Sequence, residues 1–387
     1  MDALIVGCGL SGAVCARFLA EEMNKKVVIL ERRSHIGGNM YDYKDEAGIL
    51  VHRYGPHTFH TTKKELFDFM QRFGDWEEFY LTCGAVINNR FTPTPFNFQT
   101  IDDFFSKEDA AEIKSEIQKE YGSRKQVPVL EALQSKSAAV RKYAQFLFDH
   151  DYKLYTAKQW GISPEEIDPG VLKRVPLEFS YQNRYFTDEY QYIPKTSYSD
   201  FFGNLLNHPN IEVRLNTEAL EQLEADTDAG CLKFAGERLD IPVVYTGAID
   251  ELLNVKYGKL PYRSLSFEWK TIDTESFQDA PVVAYPQADG YTRITEYTKL
   301  PVQNASGKTT IAIEYSIPYE QGKEMEPYYP IPNSENDALY QKYFEELNAI
   351  PNLYLCGRLA EYKYYNMDQA LEQALKLCGT LKKEIKC

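Results

Sequence analysis

The chain contains no Cys-x-x-Cys pair; its seven cysteines, an odd number, are scattered at Cys8, Cys15, Cys83, Cys231, Cys356, Cys378 and Cys387. That spacing argues against a disulfide framework or a zinc site and for packing thiols in a reducing compartment, so no metal is expected. No apolar run approaches the roughly 20 residues that cross a bilayer. The longest runs, such as Val27-Val28-Ile29-Leu30, are strand-sized, so no membrane span is expected. No basic region followed by an apolar block stands at the start, so no secretion signal is expected and the cytoplasm is the expected compartment. Basic residues are outnumbered by acidic ones, 43 to 57, for a net charge of −14. That deficit excludes a general nucleic-acid surface, but a few arginines in a cleft can still hold a small anion. Internal repeats and low-complexity tracts are also missing.

What is present reads as a globular chain of 387 residues, long enough for two or three domains. Aromatic residues make up 14%, with 29 Tyr and 21 Phe. Most such rings pack cores, but tyrosines beside Arg, Pro and Asn in loops leave some for stacking and hydroxyl contacts to a ligand. Residues 2–31 read as strand, glycine turn, helix and second strand. Residues 101–121 and 129–149 have helical spacing with no strand pattern between them. Strand-like runs return at Ser264 to Trp269 and Thr309 to Tyr315. Ile211-Glu212-Val213 reads as an edge strand and Val243-Val244-Tyr245 as a buried one, while Leu353 to Cys356 is a strand before a helix over 368–386.

The expected fold is α/β: a Rossmann-like nucleotide-binding domain with a helical insertion domain and a mainly antiparallel β-sheet domain. The first, discontinuous, takes 1–85, 206–250 and 340–387. The helical part takes 100–175, and the sheet part 86–99, 176–205 and 251–339.

Gly7-Cys8-Gly9-Leu10-Ser11-Gly12 fits Gly-x-Gly-x-x-Gly between a strand and a helix. Glycines are needed where the backbone turns sharply and lets a pyrophosphate reach the amides of a helix N-terminus. Glu31, 19 residues after Gly12, ends the second strand, where a carboxylate can accept both ribose hydroxyls. The extension Arg32-Arg33 and Ile36-Gly37-Gly38-Asn39 is typical of FAD proteins. Near the other end, Cys356-Gly357-Arg358 follows a strand and Asp368 starts a helix. There Arg358 would neutralise the pyrophosphate and the helix dipole would face the flavin. No second glycine fingerprint exists for a nicotinamide cofactor, which weakens an ordinary reductase reading.

Gly55-Pro56-His57-Thr58-Phe59-His60-Thr61, with the blocks that follow it, resembles the Gly-Pro-His-x-Phe-His-Thr loop of the bacterial UDP-galactopyranose mutases. Tyr155-Thr156-x-Lys158-Gln159-Trp160-Gly161 is similar to their uridine-binding segment. Asn183-Arg184-Tyr185-Phe186, Tyr291-Thr292-Arg293-Ile294-Thr295-Glu296, Tyr328-Tyr329-Pro330, Gly357-Arg358-Leu359 and Tyr364-Tyr365-Asn366-Met367-Asp368 follow in the family's order.

The resemblance implies a reversible, net redox-neutral conversion of UDP-galactopyranose to UDP-galactofuranose for cell-surface polysaccharide synthesis. In it the N5 atom of reduced FAD attacks the anomeric carbon and UDP departs and returns. It also implies a homodimer. Two arginines would hold the diphosphate: Arg174, on a mobile lid marked by Pro169-Gly170, and Arg293, from the fixed side; both suit bidentate phosphate contacts. Tyr155 would stack on uracil, Tyr152 would form a second wall and Trp160 would line the sugar side. Tyr185, Tyr328 or Tyr329, and Tyr364 are candidate hydroxyl donors to the phosphates, Tyr364 because its distance from Arg358 matches the family. His57 and His60 belong to a loop expected under the flavin, with His60 positioning the N5 region or shuttling a proton. Asn88 is a candidate contact to flavin or substrate. The expected cofactor contacts are thus Gly7, Gly9, Ser11, Gly12, Glu31, Arg32, Gly38, Asn39, His57, His60, Arg358, Met367 and Asp368. Asn366 stands where many family members carry Asp, which puts any role needing charge there in doubt. Two other classes remain open: an amine-oxidase-like flavin oxidoreductase, marked by net oxidation, and a non-catalytic FAD or sugar-nucleotide sensor, marked by binding without turnover.

Overall fold

Five short strands form a parallel sheet in the order Ile211–Arg214, Val27–Leu30, Ala3–Val6, Val243–Tyr245, Leu353–Leu355. The computed structural model describes residues 1–161, 176–321, 325–331 and 333–385. Ala3–Val6, Val27–Leu30 and Val243–Tyr245 are buried along their whole length, which is why they read as unbroken apolar runs: both faces are covered. Ile211–Arg214, on the edge, alternates half-buried and exposed residues and turns Glu212 and Arg214 outward, as a protected edge requires. Helix Leu10–Glu21 covers one face and packs against Met367–Glu384 and Tyr198–Leu206. The strand order reverses between Ala3–Val6 and Val243–Tyr245, so a crevice opens beyond their carboxyl ends.

A second sheet, of seven strands among the described residues, runs Tyr329–Pro330, Tyr262–Ile272, Thr309–Pro318, Arg293–Glu296, Val282–Ala284, Cys83–Ile87, Arg90–Thr94. It is antiparallel except where Val282–Ala284 meets Cys83–Ile87. Helices Phe98–Phe104, Lys107–Tyr121, Ala138–Leu147 and Lys153–Trp160 form the third part, with a core of its own that includes Ile113, Val140, Tyr143, Leu147 and Tyr152. Asn97 and Ser106 cap the first two through their side chains. Phe148–Tyr152 is a π-helical turn that leads directly into Lys153–Trp160.

The expected α/β architecture of parallel and antiparallel sheets with helices is present, but some segments pack elsewhere. Strand Tyr190–Pro194 pairs with Phe59–Thr61 and Trp76–Glu78, not with the seven-stranded sheet. Helix Tyr198–Leu206 buries Tyr198, Phe201, Phe202 and Leu205 in the core beneath the first sheet. This side of the 176–205 segment therefore belongs with the nucleotide layer, drawn there by its apolar helix face. Cys83–Ile87, conversely, already lies in the seven-stranded sheet. A strand, Gln126–Val127, does interrupt the helical region and pairs with Leu177–Glu178; two residues are too short to show alternation.

Candidate functional site

The glycine turn is built for close backbone approach. Gly7 has φ +94°, and a Cβ there would fall 2.1 Å from Thr246 Oγ1. A Cβ on Gly12 would fall 2.1 Å from the Gly7 carbonyl oxygen. Gly9 caps helix Leu10–Glu21 without any side-chain hydrogen bond, so the helix's first amides stay open. Opposite, the chain passes so near that a Cβ on Gly38 would meet Gly9 Cα at 2.8 Å. Glu31 is 6% exposed and accepts from Cys8 N at 2.7 Å and Arg33 N at 2.9 Å, which fixes the carboxylate at the end of its strand.

One cleft joins Gly7, Gly9, Ser11, Gly12, Glu31, Arg32, Gly38, Asn39 and His57 to Arg358, Asn366 and Met367. It runs from the second strand's acidic end, past an open helix N-terminus, to the start of Met367–Glu384. The acidic end at Glu31, the glycine cradle and cationic Arg358 fit the adenosine, pyrophosphate and ring system of FAD. Asn366, expected on the substrate side, lies in this cleft and caps the last helix: its N–H donates to Gln369 Oε1 at 2.9 Å. Asp368 is on that helix's first turn and accepts from Gln369 N.

Beside the cleft stands a cluster of cations and tyrosines. Arg358 lies 5.5 Å from the ring centre of Tyr329 and 5.1 Å from that of Tyr364, and its guanidinium donates to the carbonyls of Tyr328 and Tyr365. Arg293 donates through Nε to Glu314 Oε2 at 2.8 Å, with Nη2 also 2.8 Å away. Burial opposes the Arg293 charge, but Glu314, then Tyr155 and Tyr329, hold its pKa well above the usual arginine value. The enclosed Tyr155 hydroxyl is pushed up by burial, with Arg293 countering and Glu314, Tyr185 and Tyr329 adding to the rise. Burial pushes His57 down to about 4, with Arg358 and Arg293 contributing, so its ring is neutral at pH 7. That ring's Nδ1 bonds the Gly55 carbonyl at 2.8 Å.

Arg293, Arg358, Tyr155, Tyr185, Tyr329, Tyr364 and His57 are thus brought into one electrostatic neighbourhood. The ring of Tyr329 approaches that of Tyr364, while the buried Tyr328 neighbours Tyr54. Trp160 ends its helix beside Gly161, whose φ of +64° and proximity to Arg263 admit no side chain.

Other residues stand apart. Tyr152 is 5% exposed and packs edge-on against Phe96 in the helical core, so its ring serves packing there. His60 does not line the cleft: it sits on strand Phe59–Thr61, stacked 3.6 Å from Phe186, with Nδ1 2.9 Å from Asp188 Oδ2. Asn88 is exposed at a hairpin tip with φ +51° and exchanges hydrogen bonds with Gln287; the left-handed turn accounts for asparagine there. Arg174 lies outside the described residues. Sequence reasoning missed Glu314, because its partnership with Arg293 depends on the register of two strands placed directly opposite. It also missed Glu326, which accepts from both Arg32 and Arg33 at the rim of the cleft. No group of three or more His, Cys, Asp or Glu among the described residues is placed to hold a metal, and no described helix is long and apolar enough to cross a membrane.

Residues 151–364 match a family model described as UDP-galactopyranose mutase, and residues 5–73 one described as an NAD(P)-binding Rossmann-like domain. The chain is 36% identical to the UDP-galactopyranose mutase of Mycoplasma pneumoniae, over 97% of this chain and 94% of that protein. It is 34% identical to a dTDP-fucopyranose mutase of Escherichia coli, over 98% of this chain and 97% of that one. Among solved structures, reduced UDP-galactopyranose mutase superposes with a TM-score of 0.70 at 17% identity, covering 99% of this chain and 94% of that one, a likeness of fold.

Proposed function

From the premise that the chain belongs to the UDP-galactopyranose mutase family, we propose that it interconverts UDP-galactopyranose and UDP-galactofuranose with no net oxidation. The observation that carries this reading is the pairing of a dinucleotide cleft with two arginines, Arg358 and Arg293, and a wall of tyrosines beside it. Gly7, Gly9, Gly12 and the open helix N-terminus would hold the FAD pyrophosphate, and Glu31 its ribose. When bound in its reduced state, FAD supplies a nucleophilic nitrogen for the anomeric carbon of the sugar.

The chain's own residues grip and release the nucleotide. Glu314 takes Nε and one side of Nη2 of Arg293, and among the described residues Nη1 has no hydrogen-bond acceptor. That edge is free for a phosphate oxygen, and because the pair is largely desolvated, its field on a departing diphosphate is little screened. Tyr155 is assigned the uracil face, and Tyr329 and Tyr364 the phosphate oxygens. Arg174 is assigned the second diphosphate contact on the family match of its segment. Neutral His57 can bond a ring system through Nε2 without adding charge. A homodimer in the cytoplasm goes with this reading, and light scattering tests the assembly.

The test is to incubate dithionite-reduced, FAD-loaded protein with UDP-galactofuranose and follow UDP-galactopyranose. Conversion is expected, with no oxidised sugar. Arg174→Ala and Arg293→Ala should each cut turnover by orders of magnitude while flavin stays bound. A folded, flavin-loaded protein that forms no pyranose overturns the proposal. Turnover of dTDP-fucofuranose in preference would move the chain toward its other named relative.

A further inference from the structure

Lys158 lies one helical turn beyond Tyr155, and its side chain leaves the helix for a neighbouring loop. Its Nζ donates to three main-chain carbonyls: Tyr285 at 2.6 Å, Ala288 at 2.8 Å and Tyr291 at 2.9 Å. All three belong to the turn between strands Val282–Ala284 and Arg293–Glu296. An ammonium has three N–H groups, and here each has an acceptor, so Lys158 is an anchor with no donor left for a ligand. The turn itself is closed by Tyr285 N donating to Thr292 O at 2.9 Å, and Tyr291 stands two residues before Arg293. The next residue, Gln159, offers its carbonyl to Ser316 Oγ at 2.6 Å, which ties the same helix end to strand Thr309–Pro318. Only Lys158, among the described hydrogen bonds of this helix, reaches the turn that leads into Arg293.

We infer that Lys158 is a positioning residue that fixes the distance between Tyr155 and Arg293, and through it the grip on the nucleotide diphosphate. This rests on the function proposed above. A side chain without donors would leave the Ala288 and Tyr291 carbonyls unpaired and the Tyr285 carbonyl with only the Ala288 N–H at 3.2 Å, and would free the turn to shift, moving Arg293 relative to the helix that carries Tyr155.

The charged and titratable groups around Lys158 are Asp151 on the preceding π-turn, Asp289 on the opposing turn, and the tyrosines of that turn, Tyr285 and Tyr291. Burial pushes Lys158 down to about 8 against the pull of Asp151 and Asp289. Burial pushes Asp151 up to about 7, below that window, and Tyr285 to about 12, above it. A neutral amine has two N–H groups for three carbonyls, so deprotonation removes one prong.

The experiment uses flavin-loaded Lys158→Met and Lys158→Arg, with UDP as the binding probe and UDP-galactofuranose as substrate. The methionine variant should raise the UDP Kd and the KM at least tenfold while kcat changes less than threefold. Arginine should restore both to within threefold. A purely structural lysine would lower Tm and leave the KM of the folded protein unchanged. In the wild type the UDP Kd should rise as pH passes 8, and that rise should be absent in Lys158→Arg, whose guanidinium does not titrate there. A folded Lys158→Met with native KM overturns the inference. If that variant does not fold, an arginine variant with the wild-type rise at pH 8 overturns it. Wild type that neither binds UDP nor turns over would remove the parent reading and this one together, whereas wild type that does both beside a native methionine variant removes only this one.

Discussion

Replacing Arg293 by methionine should destabilise the protein as well as stop its chemistry, because of what the arginine leaves behind. Glu314 is 1% exposed. Its Oε2 faces Nε and Nη2 of Arg293 at 2.8 Å, and among the described residues its Oε1 is met only by Thr292 Oγ1 at 3.4 Å. Removing the cation strands a buried carboxylate, a loss of about 3–5 kcal/mol. Adding Glu314→Gln removes the stranded charge, and the double variant should recover most of that stability. A residue of about 1–3 kcal/mol should remain, because the amide still needs hydrogen-bond partners. Neither variant should regain turnover, since the cation assigned to the diphosphate is gone from both. Urea unfolding followed by fluorescence, beside turnover of UDP-galactofuranose, supplies every arm. An unchanged midpoint in Arg293→Met, or a double variant no more stable than the single, refutes the reasoning.

Gly12→Ala places a methyl 2.1 Å from the Gly7 carbonyl oxygen, with the Ile5 side chain 3.1 Å away, and should yield protein without the visible absorbance of bound flavin. Burial pushes His52 and His57 down to about 3 and about 4, so both are neutral in the fold while the unfolded chain binds protons near pH 6.5. Unfolding free energy should then fall as pH drops from about 6.5 toward 4, by up to about 1.4 kcal/mol per unit for each ring. His52→Gln should show a shallower fall in urea titrations, and an identical slope would contradict the assignment. His60→Gln should lower turnover less than tenfold, because the ring is occupied by Phe186 and Asp188; a loss of several hundredfold would return His60 to the reacting centre.

The parts of the molecule written in consecutive residues were legible before any coordinates. Gly7 to Gly12 announces its turn because steric demand at each glycine is set within one strand–helix unit, and Glu31 follows at the end of the very next strand. Buried Val243–Tyr245 and the edge strand at Ile211 also carry their positions in their own patterns. Pairing across distance was not legible. Nothing near Arg293 specifies that Glu314 will stand opposite it, since that register comes from two strands packing side by side. The strand at Tyr190 reads as sheet in either layer, and only the helix after it, with Phe201 and Phe202 turned into the first core, decides which. The block around His60 points it toward the site, whereas its own surroundings, an aromatic-acid clasp, lie in the third dimension, as does the hairpin tip that holds Asn88.

Strand Leu353–Leu355 completes the parallel sheet that Ala3–Val6 begins, and helix Met367–Glu384 lies against Leu10–Glu21. During synthesis the glycine turn must therefore wait, without its later walls, until the segment from Leu353 to Glu384 has left the ribosome. Gly357 and Arg358 arrive only with that segment, so the cofactor cleft cannot close on its ligand before it emerges. Any message cut short before that point would yield a chain whose earliest motif is intact and whose cofactor has nothing to close upon.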